Sequence, residues 1–348
     1  IMPTIKSFND TSSVSVAYAI SAAADKATVL TAKPAMKLLP FTGESFTMQK
    51  EAKTSSAIRG DRRTSGSKNT KGSANGGVTV EFGAVNFVLD LLQLAMMNTW
   101  AEIEVGVPAS GKYITDGEIK QFMLVEKTIN QGKLATDRLD HEWYFGTAIN
   151  DATLQFGDGE LVTFEASTIS ANADYGNALA GVDGLGGSLA LSKATPADYE
   201  VADSSNNLAS IELKDAEGDV MEVVWSDASL QIQNNVREQS GLSKQFAAGI
   251  GIGMVGVNFS GEIYYVSQAV LDAHMKNGSL SAKITVGTTE GTFTIHLPKL
   301  KAQAPTNNAE GQNNDFKTSL TLAAEAGEVD IGGETITCMI AIEYVAAP

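Results

Sequence analysis

Cysteine occurs once in the 348 residues, as Cys338. That excludes an internal disulfide framework and a thiolate cluster for a metal. Its surroundings, Ile336–Ile340, read as a buried strand and an inert thiol. Histidine is nearly as scarce: His141, His274 and His296 share no ligand-like spacing, and His274 and His296 read as surface or interface residues. Proline is limited to eight residues against 33 glycines, a balance that suits strands joined by tight turns. No long apolar run exists. The most apolar window, Ala84–Met97, is broken by Asn86, Asp90 and Gln93, which excludes a membrane-spanning helix. The opening residues lack a basic stretch followed by an apolar one, so no secretion signal is expected.

Positive charge is the other scarcity. Lysine and arginine total 25 against 41 acids, a net charge of −16. The imbalance is uneven. Lys50–Lys71 holds seven bases (Lys50, Lys53, Arg59, Arg62, Arg63, Lys68, Lys71) against Glu51 and Asp61, or +5, which leaves −21 for the rest. Such an acidic body repels phosphate and is a poor nucleic-acid binder, while a basic loop on it suits an acidic protein surface.

What is present is a pattern that occurs twice. Ser45–Gln49 alternates as a half-buried strand, Lys50–Gly77 is a long polar loop, Val78–Phe82 alternates again, and from Asn86 the period turns helical. Val88, Leu91, Leu92 and Ala95 form that helix's apolar stripe. Ser45–Gln49 matches Ser229–Gln233 at an offset of 184; Glu81-Phe82 matches Ile263-Tyr264 and Val88–Asp90 matches Val270–Asp272 at 182. This predicts a duplicated, mainly β chain: two tandem β-sandwich or barrel modules, each with a short flanking helix. The modules are set at 1–180 and 206–348, with a linker at 181–205 inside the apolar-poor stretch Ser167–Ser210. The first module carries an insertion at Ala101–Lys120.

Expected strands are Val14–Ile20, Phe122–Thr128, His141–Phe145, Ala152–Phe156 and Leu161–Glu165 in the first module. Ile211–Lys214, Met221–Trp225, Ala228–Asn234, Val257–Tyr265, Leu280–Val286, Thr292–Leu297, Phe316–Leu322 and Glu334–Tyr344 follow in the second. Ser21–Leu39 reads as loop with at most one helical turn, because of Pro34. Ser267–Asn277 reads as the second helix, capped by Ser267 and stopped at Gly278.

Chemistry-bearing motifs are absent or misplaced. Gly251–Gly256 spells G-x-G-x-x-G, but a strand rather than a helix follows it, so no pyrophosphate site forms. No nucleophile elbow, calcium loop or distinct pair of catalytic carboxylates appears. The chain is expected to be no enzyme and to need no cofactor or metal.

Leu39-Pro40, Thr42–Ser45, Ser56–Arg62, the glycine-led strand and helix ending at Trp100, Ser229–Asn235 and Gly261–Tyr264 together resemble the major tail tube proteins of long-tailed, non-contractile bacteriophages. The resemblance covers most of the chain. It implies modules whose inner strands join neighbouring subunits into a closed β-barrel ring. Rings stack through long loops into a tube, in the virion tail, that conducts genomic DNA without binding it specifically. It further implies assembly in the host bacterial cytoplasm alongside tape-measure, tail-tip and terminator proteins. Lys53, Arg59, Arg62, Arg63, Lys68 and Lys71 are the expected inter-ring contacts, and Glu44 and Glu81 the candidate lumen acids. Two modules per chain predict trimeric, pseudo-hexameric rings. The rival reading is a secreted β-rich surface or carbohydrate-binding module, which needs an exposed aromatic platform; Trp100, Trp143 and Trp225 are scattered in sequence.

Overall fold

A computed structural model describes residues 14–32, 34–56, 66–103, 111–130, 139–177, 193–194, 198–265, 268–308 and 315–347. The first part of the chain runs β1 (Val14–Ser21), α1 (Lys26–Ala32), β2 (Met36–Leu39), β3 (Gly43–Glu44), β4 (Thr47–Thr54), β5 (Ser67–Glu81), α2 (Asn86–Met96), β6 (Ala101–Glu102), β7 (Gly111–Thr115), β8 (Phe122–Asn130), β9 (Leu139–Gly157) and β10 (Thr163–Asn177). After the short β11 (Lys193–Ala194) come β12 (Leu208–Lys214), β13 (Val220–Met221), β14 (Val224–Gln233), β15 (Arg237–Gln239), β16 (Gly249–Gly251), β17 (Gly256–Tyr264) and α3 (Ala269–Met275). The chain ends with β18 (Leu280–Thr288), β19 (Gly291–Asn308), β20 (Lys317–Ala324), β21 (Gly327–Ile331), β22 (Glu334–Cys338) and β23 (Ala341–Ala346). The chain is mainly β, as its turns and alternation require.

The pairings repeat. In the first half β4 pairs with β5, β5 with β10 and β10 with β9, all antiparallel. In the second half β14 pairs with β17, β17 with β20 and β20 with β19 in the same order. The leading halves of β9 and β19 also take up further strands: β9 pairs with β8, which carries β1 and then β2, and β19 pairs with β18, which carries β12 and then β13. The duplication is therefore one of topology. Its register differs from the sequence match by one residue after the first strand. Phe82 is fully buried while Tyr264 is partly exposed, so their alignment would set an inward side chain against an outward one. The backbone instead equates Phe82 with Tyr265: Phe82 N–H donates to the Val162 carbonyl (2.9 Å) as Tyr265 N–H donates to that of Phe316 (3.0 Å).

Both repeats share one core. Leu92 of α2, Leu154 and Phe164 of the first repeat, and Leu230, Ile232, Ile295 and Ile342 of the second meet around a single small void. α2 buries eight of its eleven residues there, from Phe87 to Met96. Its polar side is engaged too: Asp90 accepts from Tyr18 and Lys37 (both 2.6 Å), and Gln93 donates to Gln121 (2.9 Å). α3 is shorter, and Val270 is its one buried residue.

Several expectations need correction. Ser21–Leu39 holds a seven-residue helix and a strand, β2, rather than loop. Asp25 starts the helix by accepting the Thr28 N–H (2.9 Å), and Pro34 comes only after its end. His141–Phe145 and Ala152–Phe156 are one 19-residue strand. Gly146 lets it continue, taking a φ of +58° at the point where the β8 register slips. Glu334–Tyr344 is two strands, β22 and β23, and α3 is narrower than its expected span; Ser267 lies outside the described residues.

Candidate assembly surfaces

The stretch expected as a basic loop is, over its described part, a paired hairpin. β4 and β5 pair from Thr47↔Asn75 to Thr54↔Ser67, whereas β5 pairs with β10 only from Asn75 to Glu81. The hairpin thus runs past the end of the sheet as an arm, with nearly every side chain from Thr47 to Thr54 exposed. Beyond its root the reason is compositional: in Lys50–Thr54 and Ser67–Lys71 the residues are mostly Ser, Thr, Lys and Asn without large apolar anchors, so both faces stay in water and backbone pairing orders the strands. Lys53, Lys68 and Lys71 sit on this arm; Arg59, Arg62 and Arg63 lie outside the described residues. The arm's root rests on the second repeat. Lys71 Nζ lies 3.1 Å from Glu238 Oε2, Gly72 N–H donates to the Gln245 carbonyl (2.7 Å), and the Phe246 ring covers Gly72 so closely that a Cβ there would collide. The turn that provides these contacts also exposes Leu242 almost completely.

The large sheet has one apolar and one polar face. Alternation puts Val78, Val80, Phe164, Leu154, Leu230, Phe259 and Leu320 inward. The opposite face of the six strands β5, β10, β9, β14, β17 and β20 carries Thr79, Thr163, Ser167, Thr153, Gln155, Ser229, Gln231, Asn258, Ser260, Ser319 and Thr321. Its charges are Glu81, Glu165, Asp151, Asp227 and Glu262 against Lys317, which lies 3.4 Å from Glu262. Glu81 therefore stands on an acidic, hydroxyl- and amide-rich surface. Glu44 does not. It pairs across the strands with buried Val78, forms an ion pair with Lys127 (2.8 Å), and its side chain is only 14% exposed.

The sheet is continuous across the two repeats because the last strand of the first pairs with the first strand of the second. β9 and β14 are antiparallel from Asp151↔Gln233 to Gly157↔Asp227. The corresponding outer edges, β4 on one side and the trailing half of β19 on the other, pair with no second strand among the described residues.

A family model described as phage tail tube protein matches residues 11–326. The chain belongs to that family. No curated protein matches it. As a structural tail tube protein it is a component of the phage tail.

The other motifs of this tail tube protein have structural places. The glycine run Gly251–Gly256 joins β16 to β17 with no helix after it. His141 is buried, its Nδ1 beside the Glu126 carboxylate and 3.1 Å from the Thr128 hydroxyl, with its ring stacked on Trp143. Nothing in the spacing of His141 signals this buried contact; its one sequence sign is the aromatic strand around it. His296 meets Glu343 (2.6 Å), and His274 bonds the Ala302 carbonyl (2.8 Å). Burial pushes the Cys338 thiol up to about 12, which keeps it protonated and unreactive. The tryptophans form no platform: Trp143 is buried, Trp100 bonds the Leu89 carbonyl from a half-buried site, and Trp225 packs on Phe259. Among the described residues no group of three His, Cys, Asp or Glu could hold a metal, and no helix is long and apolar enough to cross a membrane.

Proposed function

We propose that this tail tube protein closes into rings by β-sheet pairing between copies, that the polar face of the large sheet lines the bore, and that genomic DNA passes through it. The observation that carries the reading is the β9–β14 junction. It is a seam between two equivalent units already made within the chain, and its geometry can be repeated between chains. On that precedent Ser45–Gln49 of one copy lies along Asn308–Gln303 of the next. The interface is heterologous, and ring closure removes the exposed edges.

The strand count favours three chains. Each chain supplies eight strand positions to the large sheet (β3 with β4, β5, β10, β9, β14, β17, β20 and β19). Three chains make 24, for a circumference of roughly 115 Å at about 4.8 Å per strand, and a backbone diameter of about 37–50 Å depending on tilt. That leaves room for a duplex inside the side chains. Six chains would double the bore. Three two-module chains give a pseudo-sixfold ring with three basic arms.

The acids Glu81, Glu165, Asp151, Asp227 and Glu262 then face the DNA and repel its phosphates, so the genome slides without adhering; Glu44 is not needed for this. The basic arm, with Lys53, Arg59, Arg62, Arg63 and Lys68, bridges to the next ring, while Lys71 is already engaged by Glu238. Tape-measure, tip and terminator proteins are the expected tail partners, and the host cytoplasm the place of assembly. The test is negative-stain microscopy of the purified chain and of Met48→Pro. Ser45 N–H bonds to Gly77, so by alternation the Met48 N–H points away from β5 toward the proposed neighbour. Tubes from the native chain and folded, ring-less Met48→Pro support the reading; tubes from both refute the seam.

A further inference from the structure

The two repeats differ at one matched place. In the first, Ala202 sits between two strand ends: its N–H donates to the Phe82 carbonyl and its carbonyl accepts from the Val162 N–H (both 2.8 Å). Tyr199 completes the cover, its ring edge-on to Phe87 of α2 (5.4 Å) and pressed against Gly83. Phe82 and Val162 are fully buried as a result. These covering residues belong to the segment that leads into β12, the second repeat's opening strand.

In the second repeat Tyr265 and Phe316 hold the places of Phe82 and Val162, and among the described residues no segment stands beside them as Ala202 does. A cavity of about 260 Å³ lies there, lined in part by Val220, Met221, Tyr264, Tyr265 and Val270. Val220 is 62% and Phe316 43% exposed. The segment that leads into β1, the counterpart of β12, is Ile1–Ser13. Pro196 stands seven residues before Asp203-Ser204-Ser205, and Pro3 stands seven before Asp10-Thr11-Ser12. In the covering segment Asp203 accepts the Ser205 and Asn206 N–H groups (2.7 and 2.6 Å), forming the turn into β12. Ile5 and Phe8 supply apolar side chains between the matched landmarks.

We infer that Ile1–Ser13 of a neighbouring copy covers this cavity on the second repeat, with Asn9 making the backbone bridge that Ala202 makes within the chain and Phe8 beside it. The occupant is a second copy because the precedent crosses a seam. The covering segment belongs to the unit whose first strand pairs with the last strand of the unit being covered. Repeated at the seam between β19 and the next copy's β4, the same step delivers the next copy's Ile1–Ser13. This rests on the ring reading above, and it makes each interface two-part: sheet pairing on one side of the core and a strap on the other.

The test pairs Phe8→Cys with Val220→Cys in the full chain, where the native Cys338 is buried. Oxidised assemblies are run on a non-reducing gel. A ladder of covalent oligomers that ends at the ring size is expected. Tubes whose chains stay monomeric overturn the strap while leaving the sheet seam intact, and so does a disulfide confined within single chains. Independently of assembly, a fluorescent peptide of residues 1–13 should bind the full chain saturably. Val220→Asp in the protein, or Phe8→Asp in the peptide, should weaken that binding at least 10-fold. Absence of saturable binding, or indifference to both changes, overturns the inference even if no tubes form.

Discussion

Glu200 is the carboxylate that fastens the covering segment to its own repeat. The Thr289 N–H, with the Asn207 amide behind it, holds the Glu200 carboxyl below the usual carboxylate range. Asn206 does the same for Asp203. A carboxylate depressed by folding stabilises the fold above its unfolded value, near 4.3 for Glu, and that contribution fades as pH falls through the lower folded value. Amide-exchange protection at Thr289 should therefore decline in that acid window. Glu200→Gln should lower protection at neutral pH and flatten its pH dependence; an unchanged profile would separate the segment's order from this contact. A second residue-scale test is steric. A Cβ on Gly261 would strike the Asp227 carbonyl and the Ala228 backbone across the strand pair. Gly261→Val should cost about 1–3 kcal/mol or more, read as a lowered thermal midpoint; an unchanged midpoint would mean the strands separate there freely.

At the level of elements, the arm is where sequence and structure meet most instructively. Charge and composition mark Lys50–Lys71 as unlike the rest of the chain, and that asymmetry is legible without coordinates. Its pairing is not, because Lys, Asn, Gly and Ser have poor strand propensity and leave no apolar alternation to read. The repeat is legible for a similar reason in reverse: Ser45–Gln49 and Ser229–Gln233 alternate on a core face and keep their pattern. The one-residue error in aligning Phe82 with Tyr264 arises where apolar residues run consecutively, as in Ile263-Tyr264-Tyr265, and hide which one points inward. Helix α1 was hidden by Pro34, and the Glu126–His141 contact by a register that only the pairing of β8 with β9 reveals. The polar face could be read only once register joined six strands. For the arm itself, Arg62→Glu with Arg63→Glu should leave a folded subunit that does not stack, and Lys53→Glu with Lys68→Glu should act the same way. Stacking should also slow at high salt, since exposed ion pairs are screened over roughly 8–10 Å. Normal tubes from both double variants would show that the arm's charge is not the inter-ring contact.

At the scale of the whole molecule, the last strand of the first unit pairs with the first strand of the second inside the chain, and the proposed ring repeats that pairing between chains. A two-unit chain so paired presents a continuous sheet with a polar, acidic face and two complementary edges. That architecture needs no chemistry from the subunit. It also predicts that intact tubes bind duplex DNA weakly at physiological salt. Tight, salt-sensitive binding in a filter or mobility assay would contradict an acidic bore.

In the proposed ring, three chains would place six units around the axis, and the divergence of arm from glycine-rich loop would lower the symmetry from sixfold to threefold. Cryo-electron microscopy of assembled tubes tests this most directly. The prediction is a 24-stranded inner barrel of three chains, with β19 of each chain beside β4 of the next and three arms per ring. Six chains in a ring, or a barrel lined by only one of the two repeats, would contradict it.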